Sequence, residues 1–94
     1  MKINAIDESG KLKEYDVILT YHSDEYNKDY IVYTDNIYNS NDELKIYINE
    51  YNKDSVEDRV KDIPDTDEYT KIKSVIGNIL VNMKNESDIL NNSE

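Results

Sequence analysis

The hydrophobic period changes once along this chain, and the change falls at its only proline, Pro64. Upstream, apolar and aromatic residues alternate with polar ones. From Leu12 to His22, Tyr15, Val17, Leu19 and Tyr21 fall on one side of an extended segment. Asp16, Ile18, Thr20 and His22 fall on the other. Lys2 to Ile6, Asp29 to Thr34 and Leu44 to Tyr51 read as further strands, rich in β-branched and aromatic side chains as a pleated, half-buried surface favours. Turn chemistry separates them: Glu8-Ser9-Gly10-Lys11 with Gly10 free to take positive φ, a polar stretch from Ser23 to Lys28, and an Asn-rich loop from Asn36 to Asp42. Connections this short exclude parallel crossovers, which need a dozen or more residues. The first half therefore predicts a four-stranded antiparallel meander.

Downstream of Pro64 the period is helical. Tyr69, Ile72, Ile76, Ile79, Leu80 and Met83 recur at steps of three and four, one apolar stripe on about five turns. Asp65 is placed to cap the first turn, with Glu68 three residues on in a capping-box spacing. Asp67 and Glu68 meet the positive end of the helix dipole, and Lys84 is expected near the negative end. Gly77 interrupts the helix interior, which a close approach of the helix to the sheet would explain. Residues 52–63 fit neither period well; Val56, Val60 and Ile63 suit a helical turn or a poor edge strand. The organisation predicted is an α+β domain over residues 1–84, with the helix packed on one face of the sheet, and a flexible polar tail over 85–94.

Ninety-four residues allow one hydrophobic core. Leu, Ile and Val number 23 and nine Tyr add buriable surface, enough to carry the chain past the composition of disordered segments. Tyr15, Val17, Leu19 and Tyr21 with Leu44, Ile46 and Ile48 are the expected face under the helix. The opposite face would carry Ile18, His22, Tyr47 and Tyr51, with either Ile31 and Tyr33 or Tyr30 and Val32 according to register. Tyrosines there suit cross-strand pairing on an exposed sheet, and they equally suit a recognition surface.

Charge and composition exclude several classes of function. The net charge is −10 and Arg59 is the only arginine, so neither nucleic-acid phosphates nor an anionic membrane would be favoured. Without cysteine there is no disulfide framework, thiolate metal site or thiol nucleophile. The first fifteen residues hold no signal-peptide core, and no stretch approaches the length of a membrane span, so a cytoplasmic location is expected. On that ground Asn85-Glu86-Ser87 and Asn91-Asn92-Ser93 match the glycosylation pattern by coincidence.

No constellation carries catalysis. His22-Ser23-Asp24 is contiguous, and neighbouring residues on a strand cannot converge on one imidazole as a triad requires. One histidine cannot build a three-histidine zinc site. The acidic pairs Asp24-Glu25, Asp42-Glu43 and Glu57-Asp58, and Asp62 with Asp65 and Asp67, fall in turns and at the helix start rather than in a pocket. A calcium loop starting at Asn39 places Leu44 where the sharp turn needs glycine. Gly10 and Gly77 alone make no phosphate cradle. No catalytic, cofactor-binding or metal residue is assigned, and no cofactor is expected.

The order of elements resembles the YrzB-like family, small acidic bacterial proteins described as a domain of unknown function. The likeness rests on the turn Ile6-Asp7-Glu8-Ser9-Gly10-Lys11 and the hairpin strand Tyr26-Asn27-Lys28-Asp29-Tyr30-Ile31-Val32-Tyr33. It continues through Leu44-Lys45-Ile46-Tyr47-Ile48 and the acidic helix start Ile63-Pro64-Asp65-Thr66-Asp67-Glu68-Tyr69. It covers roughly residues 3 to 83, and every motif in it is structural. The Asn-rich loop departs from the acidic runs common there, and Tyr69 stands where Trp is frequent.

The functional expectation is a non-enzymatic cytoplasmic adaptor or regulatory module. It would bind a protein partner, or itself, through Ile18, Tyr33, Tyr47 and Tyr51 or through a strand edge. The alternative is an acidic mimic of phosphate or nucleic acid that blocks a nucleic-acid-binding protein.

Overall fold

The computed structural model describes residues 1–55 and 59–92, which form β1 (Lys2–Ile6), β2 (Leu12–Ser23), β3 (Lys28–Thr34), β4 (Tyr47–Tyr51), β5 (Val60–Lys61) and α1 (Thr66–Asn92). Val56, the Glu57-Asp58 pair, Ser93 and Glu94 lie outside the described residues. The class is α+β. Two compact units divide the chain, residues 1–62 and residues 63–94.

The first unit is one curled antiparallel sheet in the order β1-β2-β3-β4-β5. It has five strands where the hydrophobic pattern predicts four, because Val60–Lys61 pairs with Glu50 and Tyr51 and adds an edge. A strand of two residues, Val60 and Lys61, is too short for alternation to register. The fourth strand also starts later than its pattern suggests. Lys45 N–H donates to the Ile37 carbonyl, and the Lys45 carbonyl accepts from Thr34 Oγ1. The 36–46 loop thus takes up its own backbone groups, Leu44 makes only a bridge to Tyr38, and pairing with β3 begins at Tyr47.

The largest departure from the sequence pattern is in β2. Val17 pairs with Tyr33, yet Leu19 pairs with Val32, so Ile18 is the extra residue of a β-bulge. Because side chains alternate, one inserted residue reverses every side chain beyond it. Tyr15 and Val17 therefore share a face with Ile31, Tyr33 and Tyr47, whereas Leu19 and Tyr21 share the other with Tyr30, Val32 and Ile48. The single face Tyr15-Val17-Leu19-Tyr21 that strict alternation predicts does not exist. On the first face Ile3, Tyr15, Ile31 and Tyr33 form a buried cluster, with Ala5, Val17, Tyr47, Tyr51 and Val60 packed against it. On the second, Tyr30, Val32 and Ile48 are buried as well, so β3 is enclosed on both sides.

Polar turn residues hold the connections. Asp7 Oδ1 accepts the N–H groups of Ser9 and Lys11 and the Ser9 hydroxyl, while Gly10 adopts φ +83° to let the chain reverse. Asn27, Asn36 and Asp42 take positive φ in the later turns, a conformation that Asn and Asp tolerate better than other side chains.

The second unit is the helix. Glu68 N–H donates to Asp65 Oδ1 at 2.9 Å and Tyr69 N–H to the Asp65 carbonyl at 2.9 Å, so Asp65 caps α1 as its position suggests. Ile72 and Ile76 are buried, Ile79 and Leu80 half-buried, and Tyr69 and Met83 at the ends of the stripe exposed. Helical backbone continues nine residues past Met83 to Asn92, which leaves Lys84 well inside the helix and no basic residue in its last turn. Gly77 is exposed, and a Cβ added there meets nothing within 4 Å, so close approach does not explain the glycine. Gly77→Ala should raise stability by about 0.5–1 kcal/mol through lower backbone entropy in the unfolded chain. Thermal or urea unfolding checks this; a loss of stability would show that the position is constrained.

Candidate functional site

Three tyrosines converge inside the curl of the sheet. Tyr33 from β3 and Tyr47 from β4 are directly paired, and Tyr15 from β2 lies on the same face two residues from Val17, the partner of Tyr33. Tyr15 meets Tyr33 edge-on at 5.0 Å between centroids and Tyr47 edge-on at 5.6 Å. Tyr33 and Tyr47 stack at 5.4 Å with 18° between their planes. Edge-to-face and stacked contacts are the arrangements that ring quadrupoles favour.

Each hydroxyl of the stacked pair has a partner. Asn49 Nδ2 donates to Tyr33 Oη at 2.7 Å, and Tyr47 Oη donates to Asp35 Oδ2 at 3.0 Å. Lys13 Nζ reaches the same Asp35 oxygen at 3.3 Å and lies 5.6 Å from the Tyr15 centroid. Lys45 Nζ lies 5.3 Å from the Tyr47 ring and 3.9 Å from Glu8. These side chains line a cleft of about 530 Å³ between the 7–11 turn and the 36–46 loop, with the tyrosines as its floor.

The electrostatics follow from enclosure. The Asp35 side chain is only 4% exposed. Burial pushes its carboxyl up, but the Tyr47 hydroxyl, the Ile37 N–H and Lys13 together outweigh burial and hold it below the usual carboxylate range. Burial raises Tyr15 above a normal phenol. Burial, with the nearby Tyr15 and Asp62 oxygens, pushes Tyr33 up to about 12. The cleft therefore holds the neutral phenols of Tyr15 and Tyr33, the ammonium groups of Lys13 and Lys45, and four carboxylates, those of Asp7, Glu8, Asp35 and Asp62, a polar lining suited to hydrogen bonding.

The four residues expected on one open face are thus distributed differently. Tyr33 is buried, Tyr47 and Tyr51 are half-buried and pack on the inner cluster, and Ile18 sits in the bulge outside it. Lys13, Asp35, Lys45 and Asn49 were not singled out in the sequence. Only the pairing of three strands with one loop brings them together, and no spacing signals that. His22 is exposed, with Nδ1 2.7 Å from Asp29 and Nε2 3.4 Å from Asp24. Ser23 is buried and its Oγ accepts the Tyr26 N–H, so the contiguous His-Ser-Asp string forms no catalytic relay. Among the described residues, no group of three or more His, Cys, Asp or Glu is placed to hold a metal ion, and no helix is long and apolar enough to cross a membrane.

Fold and site define a small α+β protein whose sheet curls around a tyrosine cluster. The chain belongs to the UPF0473 family of small bacterial proteins. It is 39% identical over 83 residues to a UPF0473 protein of Leuconostoc mesenteroides subsp. mesenteroides, covering 84% of each chain. No protein-family model matches it, and no solved structure does.

Two titrations report on the cleft. Asp35 has a lowered folded-state pKa, so its contribution to stability is present above its unfolded value near 4 and disappears as the pH falls through the lower folded value. Asp35→Asn should cost about 1–3 kcal/mol at pH 7 by leaving Lys13 without its counter-charge, and should flatten the acid limb of stability against pH. Tyr33 has a raised folded-state pKa, so its contribution is full below pH 10 and is lost between about 10 and 12. Tyr33→Phe should flatten that alkaline limb. Urea unfolding across pH measures both, and unchanged limbs would refute the assignment.

Proposed function

We propose that the protein is a non-enzymatic cytoplasmic module that binds a protein partner, within the YrzB-like group that its motifs resemble. The observation that carries this reading is the apolar surface bordering the tyrosine cleft. Ile6 and Leu12, directly paired across β1 and β2, are 65% and 68% exposed. Ile37 and Tyr38, on the loop that forms the other wall, are 51% and 62% exposed. Apolar side chains held out in water beside an aromatic floor favour association, since a partner removes their surface from water. The polar groups of the floor are already paired with one another, which suits orientation of a bound segment rather than proton transfer.

The double variant Ile37→Ser, Tyr38→Ser tests this, because both side chains are exposed and their loss leaves the core intact. Affinity purification from bacterial cytoplasm at low and high salt should yield a partner with the parent protein that the variant fails to retain. Equal capture by both proteins would contradict a docking role for this end of the sheet. Capture that collapses in high salt, with no dependence on Ile37 and Tyr38, would favour the acidic mimic instead.

A further inference from the structure

Five strands are an odd number. Each runs antiparallel to its neighbours, so the two edge strands, β1 and β5, point the same way. An antiparallel sheet curling toward closure then lacks one strand, because only an even number returns in the opposite direction. Both edges line a single cleft of about 760 Å³, with Ile3 and Ala5 on one wall, Val60 on the other, and Tyr33 and Asn49 between them.

Hydrogen-bond parity says which backbone groups face that cleft. Val17 N–H donates to the Met1 carbonyl at 2.8 Å and Asp7 N–H to the Lys11 carbonyl at 2.9 Å, so the odd-numbered residues of β1 bond to β2. Lys2, Asn4 and Ile6 therefore turn their N–H and C=O groups to the open edge. On the other side, Asn52 N–H donates to the Arg59 carbonyl at 2.8 Å, which puts Lys61 in the same phase and turns Val60 outward. A row of backbone donors and acceptors on β1 and the single N–H and C=O of Val60 on β5 thus border one slot.

We infer that this slot accepts an extended peptide segment as a sixth strand, antiparallel to both β1 and β5. This rests on the protein-binding reading and specifies its mode. The segment carries small apolar residues at alternate positions, because one of its faces meets Ile3, Ala5, Val60 and the Tyr33 ring. Its ends are basic. The chain's charge of −10 draws cations, and Asp7 and Asp62 line the cleft, while its two lining cations are engaged elsewhere, Lys2 with Asp16 at 2.8 Å and Arg59 Nε with the Ser55 carbonyl at 3.2 Å. A second copy of the chain would instead bring −10 against −10.

The probe is a synthetic peptide of alternating Val and Thr with two Lys at each end, titrated into the intact protein. Amide exchange should slow at Lys2, Asn4, Ile6 and Val60, and a version with Glu ends should bind at least about tenfold more weakly. Asn4→Pro removes an outward N–H without touching the bonds to β2, and should weaken binding at least about tenfold with the circular dichroism spectrum unchanged. Phe substitution at Ala5, whose side chain lines the slot, is a second variant that should block the peptide. No binding at millimolar peptide, shielding of other amides, or equal binding by Asn4→Pro and Ala5→Phe would overturn the inference. Those results leave the partner-binding reading standing if Ile37→Ser, Tyr38→Ser still loses its captured partner. A dimer in the free protein with the same amides already shielded would place a second copy in the slot and overturn the peptide assignment.

Discussion

The bulge at Ile18 is the constraint on which the sheet depends. A twelve-residue strand with uninterrupted alternation would present one apolar face along its length. Inserting one residue makes β2 serve two faces: Tyr15 and Val17 join the inner cluster, and Leu19 and Tyr21 join the other side. A bulge also bends its strand and increases local twist, which is the distortion a five-stranded sheet needs in order to curl. The central strand is then enclosed on both faces. Ile31 and Tyr33 are buried on one side, Tyr30 and Val32 on the other. A polar group on either side of β3 needs a partner, and the Tyr33 hydroxyl has one in Asn49.

The same logic explains how so acidic a chain keeps a polar cluster inside the curl. Tyr33 and Tyr47 have large apolar rings with one hydroxyl each, and Asn49 and Asp35 satisfy those hydroxyls. Asp35 in turn depends on Lys13 and on a backbone N–H from the loop that follows β3. The loop's fold and the cleft's chemistry are therefore one unit. Thr34 reinforces the link, since its hydroxyl donates to Lys45 and accepts from the Asn36 N–H. Among the described residues most other carboxylates lie on the outside, where they serve turns, as Asp7 does, or surface pairs such as Asp16 with Lys2 and Asn36. Pairs of that exposed kind contribute little to stability individually.

What the sequence made legible follows the range of the interactions involved. The change from period two to the helical period at Pro64, the cap at Asp65, the turn at Gly10 and the first three strands are local, and each can be read from a few neighbouring residues. The face assignment was not local. Nothing in Tyr15-Asp16-Val17-Ile18-Leu19 distinguishes a bulged strand from a regular one, because the bulge exists only relative to β3. Strand β5 is ambiguous for a related reason: Val60 suits a helical turn or a poor edge strand equally, and only pairing with Glu50 and Tyr51 decides for the strand. The site suffered most. Tyr33, Tyr47 and Tyr51 were identified as a group and do lie together, but inside the curl, and the Lys13, Asp35 and Asn49 that complete it come from distant segments.

Nuclear Overhauser contacts between side chains of β2 and β3 test the face switch most directly. The account predicts that Leu19 contacts Val32 while Tyr15 and Val17 contact Tyr33, with Ile3 near the Tyr15 ring. Contacts from Leu19 and Tyr15 to one and the same side of β3 would mean an unbulged strand, and would contradict both the curl and the enclosed tyrosine cluster.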